Sequence, residues 1–190
     1  SPESMMEAKL LMFAPNNIIS PSSGEPIAVP SQDMVMGCFY MTKERHGEKG
    51  EGKIFSNIEQ VITAYQNDKV GTHALIKVRM NGDLVETTPG RVLFNEILPE
   101  IDRNYHKTYG KGEIKALIKS LYEAHGFTET AELINRVKNF GYHYGTFAGV
   151  SVGIEDLEVP PKKKDLLNKA DKEVAQIEKD YKSGKIINEE

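Results

Sequence analysis

The stretch Ile76-Lys77-Val78-Arg79-Met80-Asn81-Gly82-Asp83-Leu84-Val85 decides the fold class. Ile76, Val78 and Met80 alternate with Lys77 and Arg79, the two-residue period of a strand with one buried face. Asn81-Gly82 follows, and both residues tolerate the positive φ of a type I′ turn. Leu84-Val85 then begins the returning strand of a hairpin. The chain around this hairpin carries helical periods, so the sequence predicts an α+β fold. It is mainly helical, with a small antiparallel β-hairpin or sheet and a protruding C-terminal coiled-coil helix.

Working outward, Ile58, Val61, Ile62 and Tyr65 recur at helical spacing and predict a helix over 57–67. Thr88-Pro89 reads as an N-cap and first helical residue, with Leu93, Phe94, Ile97 and Leu98 carrying that helix to Pro99. A polar connection over 102–112 leads to a helix over 113–125 that buries Ile114, Leu117, Ile118, Leu121 and Tyr122 and ends at Gly126. A second helix over 129–140, burying Leu133, Ile134, Val137 and Phe140, stops at Gly141, and the two form an αα-hairpin. Gly141, Gly145, Gly149 and Gly153 recur every four residues. On a helix they would leave a bare face for a second backbone; as isolated breaks they would serve turns.

Toward the N-terminus, Ser1 caps and Pro2 starts a helix with Met5, Met6, Ala8, Leu10, Leu11 and Met12 as a broad apolar stripe, stopped by Pro15. Turn formers crowd 15–31, with Ile18-Ile19 and Ile27-Ala28-Val29 as short extended pieces. Ser31 caps a helix over 32–42 whose inner face is Met34, Val35, Cys38 and Phe39. Residues 43–53 form a solvated loop. Toward the C-terminus, Val159-Pro160-Pro161 reads as a hinge before a charged helix over 162–182. There Leu167, Ala170, Val174, Ile177 and Tyr181 step by 3, 4, 3 and 4, an a/d seam that needs a second helix. The domains expected are thus 1–158 and 159–190. A capping residue at position 1 and an unpartnered seam predict a piece of a longer chain.

Composition narrows the function. The 190 residues carry 24 Lys and Arg against 28 Asp and Glu, a net charge of 24 − 28 = −4, which does not suit a surface built mainly to coat phosphate backbones. The single cysteine, Cys38, rules out an internal disulfide framework and a Cys-rich zinc site. It reads as a small buried hydrophobe. No apolar run has the length of a membrane span, and Ser1-Pro2-Glu3-Ser4 has no basic n-region.

No catalytic constellation stands out: the sequence holds no phosphate loop, nucleophile elbow or HExxH pair. His46, His73, His106, His125 and His143 are scattered. Glu155-Asp156 is a poor metal pair, because neighbours on a strand point to opposite faces. The polar loop with Asn16, Asn17, Glu25 and Gln32 is the remaining candidate. Its amides suit contacts to a nucleotide, or else hold the loop's own backbone.

Several strings resemble the bacterial RNA polymerase β′ family. They are Glu7-Ala8-Lys9-Leu10-Leu11-Met12, Asn16-Asn17-Ile18-Ile19-Ser20-Pro21, Gly24-Glu25-Pro26-Ile27 and Pro30-Ser31-Gln32-Asp33-Met34-Val35. Further on come Thr87-Thr88-Pro89-Gly90-Arg91-Val92, Phe94-Asn95-Glu96-Ile97-Leu98-Pro99, Gly149-Val150-Ser151-Val152-Gly153-Ile154-Glu155-Asp156-Leu157 and Val159-Pro160-Pro161-Lys162-Lys163-Lys164. They occur in family order and match the segment just after the family's catalytic NADFDGD motif. The departure is Phe147-Ala148-Gly149, where the family usually has Arg-Ser-Gly.

The resemblance implies the following. The bulk of the chain is a pore domain that lines the secondary channel of a DNA-directed RNA polymerase, a cytoplasmic nucleotidyltransferase. Gln32, with Asn16 and Asn17, faces the incoming nucleotide or the RNA 3′ end. The heptad helix is the first arm of the rim coiled coil, offering Leu167, Ala170, Val174, Ile177 and Tyr181 to transcript-cleavage and related factors. Its partners are the other polymerase subunits, nucleoside triphosphates, DNA and RNA, with no membrane. The catalytic Mg²⁺ ligands of the family lie outside this sequence, so it holds neither catalytic nor metal residues and is inactive alone. The competing reading is a free-standing interaction protein whose 162–182 helix pairs as a coiled coil.

Overall fold

The structure, a computed structural model, describes residues 1–187 and divides into two compact units, Ser1–Val150 and Ser151–Glu190. The first unit contains α1 (Pro2–Leu11), a 3-10 turn (Ala14–Asn17), α2 (Asp33–Thr42), β1 (Ile54–Phe55) and α3 (Ile58–Gln66). It continues through β2 (Ile76–Met80), β3 (Asp83–Thr87), α4 (Pro89–Glu96), a 3-10 turn (Glu100–Asp102) and α5 (Lys111–Ala148). The second unit contains a 3-10 turn (Ile154–Asp156) and α6 (Lys163–Lys182). The class is α+β, mainly helical.

The hairpin forms as its sequence dictates. β2 and β3 pair antiparallel, Ile76 opposite Thr87 and Met80 opposite Asp83. Asn81 (φ 50°) and Gly82 (φ 97°) supply the left-handed pair between them. Ile76 and Val78 are buried while Lys77 and Arg79 are exposed. The buried face packs on Val61 of α3, Val92 of α4, Val70 and Ala74, a small core of its own. The sheet is mixed rather than purely antiparallel: β1 adds parallel to β2, with Ile54 opposite Lys77.

The larger core is helical. Cys38 and Met41 of α2, Phe94 of α4, Ile18 and Tyr109 meet both arms of α5. Ile114, Ile118 and Leu121 come from the first arm, Leu133, Val137 and Phe140 from the second. The arms meet at Gly126, whose φ of 76° and ψ of −174° break the helix. Three local expectations are corrected. The second arm does not stop at Gly141 but runs on to Ala148, with Gly149 (φ 59°) as its left-handed cap. Ser31 is not the cap of α2; Gln32 takes that position. Phe39 does not face inward; it is exposed, and Gly37, Cys38, Met41 and Thr42 form the buried side.

Gly141 continues the helix because its bare face is in use. A Cβ on Gly141 would collide with the backbone of Met34, and one on Gly37 with the carbonyl of Gly141. The α2 and α5 backbones therefore touch. A similar contact joins α4 to α2, where a Cβ on Gly90 would strike the carbonyl of Met41.

Caps fix the starts of three helices. Ser1 accepts from Ser4 N (3.3 Å), Asn57 from Gln60 N (2.9 Å) and Thr88 from Arg91 N (3.2 Å). Beneath α4 runs a buried polar network that the sequence did not reveal. Arg91 Nε donates to the Thr42 carbonyl (2.8 Å), and Nη2 donates to Thr108 Oγ1 (3.0 Å) and pairs with Glu44 (3.1 Å). Asn95 donates to the carbonyls of Arg91 (2.8 Å) and Asn104 (3.1 Å) and accepts from Asn104 N (2.7 Å). Among the described residues no buried side-chain nitrogen or oxygen lacks a partner, as a low-dielectric interior demands.

Candidate functional site

The candidate loop is built on its own hydrogen bonds. Asn16 Nδ2 donates to the Leu10 carbonyl (3.2 Å), and Asn17 Nδ2 donates to those of Leu11 (2.8 Å) and Phe13 (3.0 Å). Both amides thus satisfy the open carbonyl end of α1 and the chain just beyond it. An isolated bridge between Ile19 and Pro26 closes the loop, and Ile18 is buried in the core. Glu25 then clamps it to the first arm of α5, with Lys119 at 3.0 Å and Lys115 at 3.1 Å. The hydrogen bonds from Lys119 and then Lys115 hold the Glu25 carboxyl below its ordinary value.

Gln32 differs from both asparagines. Its backbone sits at φ 49°, ψ −122°, a costly conformation for a residue with a Cβ. Its side chain is exposed and makes no hydrogen bond among the described residues, including to the helix it precedes. Immediately after it, Asp33 and Met36 of α2 meet Tyr142, Gly145, Thr146 and Val150 around a groove of about 260 Å³. The glycine crossing makes this groove, since it lets α2 lie flat against the end of α5. Gln32 and the groove are therefore neighbours, whereas Asn16 and Asn17 are committed to α1.

The remaining titratable candidates are structural. Cys38 is fully buried and its thiol is pushed up to about 12 by that burial, which removes it as a nucleophile. His73 is buried against Tyr40 (4.6 Å between ring centroids) with Nδ1 3.1 Å from the Lys43 carbonyl. Burial holds it below the ordinary histidine value. His125 bridges Asp102 (2.9 Å) and Glu129 (3.4 Å) at the Gly126 break. Among the described residues no group of three or more His, Cys, Asp or Glu could hold a metal ion.

Two surfaces lack cover. On α1, Met5, Met6, Leu10 and Leu11 are more than half exposed, and the helix buries nothing. In the second unit, α6 presents Leu167, Val174, Ile177 and Tyr181 half or more exposed, with Ala170 exposed between them. Glu155 and Asp156 lie on the 3-10 turn rather than a strand, and Asp156 Oδ2 accepts from Gly153 N at 2.7 Å. No helix among the described residues is long and apolar enough to cross a membrane.

Residues 17–157 match the family described as RNA polymerase Rpb1, domain 3. The chain belongs to that family. The match opens on the candidate loop and takes in Gln32, both cores and the glycine crossing; α1 and α6 lie outside it. Similarity to named relatives covers the flanks as well. The DNA-directed RNA polymerase subunit beta′ of Fusobacterium nucleatum subsp. nucleatum is 95% identical over 190 residues, which is 100% of this chain and 14% of that protein. The same subunit of Pelotomaculum thermopropionicum is 41% identical over 191 aligned positions, 100% of this chain and 16% of that protein. That of Thermodesulfovibrio yellowstonii is 41% identical over 186, covering 97% and 14%. The chain thus spans only 14% to 16% of the length of these relatives.

Proposed function

We propose that this chain works as part of a bacterial RNA polymerase β′ subunit, in DNA-templated RNA synthesis. Residues 1–158 act as the pore domain that lines the secondary channel beside the active site. Residues 159–190 begin the rim coiled coil. The observation that carries this reading is 95% identity along all 190 residues to a DNA-directed RNA polymerase subunit beta′. In the reading, Gln32 is the side chain turned to the incoming nucleoside triphosphate or the extruded RNA 3′ end. Its free, exposed amide offers both a donor and an acceptor to a sugar, phosphate or base edge. Asn16 and Asn17 act indirectly, by holding the loop in place through α1.

The same reading accounts for the uncovered surfaces. The α6 seam receives the returning arm of the rim, and the finished coiled coil takes transcript-cleavage and related factors. The apolar side of α1 is covered within the larger subunit. The Mg²⁺ ions of catalysis are held by ligands outside this sequence, so the isolated chain has no nucleotidyltransferase activity. The working assembly is cytoplasmic and includes the other polymerase subunits, DNA and RNA.

The test is a blot of lysate from the source cells, probed with an antibody raised against this chain. A band several times heavier than 21.3 kDa that co-sediments with polymerase activity is the expected result. A band at 21.3 kDa alone would overturn the reading in favour of a separate protein that pairs through α6.

A further inference from the structure

The loop that leads into Gln32 is tied to the rest of the fold unevenly. Among the described residues, 18–30 hydrogen-bond within the loop, as where Ile27 N and Ala28 N donate to the Ile18 carbonyl (2.8 and 3.4 Å). The one polar tie leaving that stretch is Glu25, whose Oε1 takes Lys119 Nζ at 3.0 Å and whose Oε2 takes Lys115 Nζ at 3.1 Å. The other anchors are apolar: Ile18 is buried, and Ile19 and Val29 pack on the helical core. Apolar burial holds a segment down without fixing its direction. A carboxylate with an ammonium on each oxygen does fix it, because charge-assisted hydrogen bonds are short and directed. The two lysines stand four residues apart on one face of the first arm of α5. Their neighbours Ile114 and Ile118 are buried, so the arm beneath them is fixed in the core.

Gln32 follows Glu25 in the same segment, at φ 49°, ψ −122°. A residue with a Cβ keeps such a backbone only where the chain is held on both sides of it. Downstream the hold is α2, locked by the contact of Gly37 with the Gly141 carbonyl. Upstream it is the stretch from Glu25, with Pro26 bridged to Ile19 and Pro30 buried. The fixed φ of the two prolines leaves this stretch little slack, so a shift at Glu25 is passed on toward Gln32.

We propose that Glu25 is a positioning residue: clamped by Lys115 and Lys119, it holds Gln32 in its strained backbone and so aims the Gln32 amide at the incoming nucleoside triphosphate. The proposal rests on the polymerase reading of Gln32 and adds to it the ion-paired support behind that side chain. Glu25 itself touches no ligand and acts through the chain.

The experiment uses full-length β′ subunit in assembled polymerase. With a photo-reactive residue at position 32, crosslinking to labelled nucleoside triphosphate is compared in the parent, in Glu25→Lys, and in Glu25→Lys combined with Lys115→Glu and Lys119→Glu. Glu25→Lys is expected to lower the yield by about two- to fivefold, and the combined reversal, which restores both ion pairs with opposite sign, to recover most of it. With Gln32 in place, Glu25→Lys should raise KM for nucleoside triphosphate by a similar factor while kcat changes less. In a Gln32→Ala background it should add nothing further, since the clamp acts only through Gln32. If Glu25→Lys impairs assembly of the enzyme, Glu25→Gln keeps the side-chain length, removes the charge and should shift both readouts in the same direction. Parent enzyme that crosslinks neither nucleotide nor RNA would refute the polymerase reading of Gln32 and take the clamp with it. Parent crosslinks to RNA alone would overturn the clamp and leave that reading standing. So would a nucleotide crosslink or KM unchanged by Glu25→Lys, no recovery on charge reversal, or effects that add to those of Gln32→Ala.

Discussion

Replacing Gly141 by alanine tests the helix crossing on which the groove beside Gln32 depends. Two effects oppose each other. Alanine in place of glycine inside a helix gains about 1 kcal/mol of intrinsic propensity. The added Cβ, however, would overlap the Met34 carbonyl, Cα and carbonyl carbon at once, all backbone atoms of α2. Backbone cannot rotate aside as a side chain can, so the helices must separate. Overpacking of this kind costs about 1–3 kcal/mol, and a clash with three backbone atoms belongs at the upper end. The net expected loss is about 2 kcal/mol, or roughly 4–8 °C in Tm for a chain of this size. Three companions make the reasoning quantitative. Gly37→Ala should behave like Gly141→Ala, because its Cβ would strike the Gly141 carbonyl. Gly145→Ala should be milder, since its nearest neighbour is the Asp33 carbonyl at 3.3 Å. Gly112→Ala, with nothing within 4 Å, should be neutral or slightly stabilising. Thermal unfolding followed by circular dichroism ranks the four. Gly141→Ala melting level with Gly112→Ala would refute the backbone contact.

His73 is held below its ordinary value by burial, so the folded chain keeps it neutral where the unfolded chain binds a proton. Its contribution is intact above the unfolded value of about 6.5 and is lost as pH falls from there toward the folded value. Denaturation between about pH 7.5 and 5.5 should show this loss, with a smaller slope in His73→Gln; equal slopes would contradict it. Thr88→Ala removes the cap on Arg91 N and should cost about 1 kcal/mol in urea unfolding, with Thr88→Asp close to the parent. Arg91→Ala removes the guanidinium's bonds to the Thr42 carbonyl and Thr108 hydroxyl and its pairing with Glu44, leaving the two threonine groups only their 3.3 Å bond to each other; a loss of about 2 kcal/mol is expected, and under about 0.5 kcal/mol would contradict the network.

Much of the fold was legible locally. Asn81-Gly82 between alternating residues specified the hairpin, and Thr88-Pro89 specified the start of α4, because turn and cap chemistry act over two to four residues. β1 was not legible: two residues, one of them exposed, carry no period, and their pairing is decided by β2 more than twenty positions away. Gly141 was misread as a helix stop because the local signal for a terminator and for a close helix contact is the same glycine. Only Met34 and Gly37, brought in by the fold, tell them apart. Asn95, Arg91 and Tyr109 read as ordinary polar or connecting residues, yet they are buried: Arg91 and Asn95 donate to the backbone carbonyls of Thr42 and Asn104, and the Tyr109 N–H donates to the Thr42 hydroxyl, partners that other segments contribute. Within the candidate loop the amides divide in a way the sequence left open. Asn16 and Asn17 bond to the end of α1, and Gln32 stays free.

The central claim is that Gln32 faces nucleotide or the RNA 3′ end within a polymerase. The direct measurement is photo-crosslinking from a reactive residue placed at position 32 of the full-length β′ subunit in assembled enzyme, with one at Lys77, exposed on β2, as the comparison. The account predicts crosslinks from position 32 to labelled nucleoside triphosphate or to the RNA 3′ end in stalled complexes, and none from position 77. Crosslinks from position 32 to protein alone, or equal labelling from both positions, would contradict it.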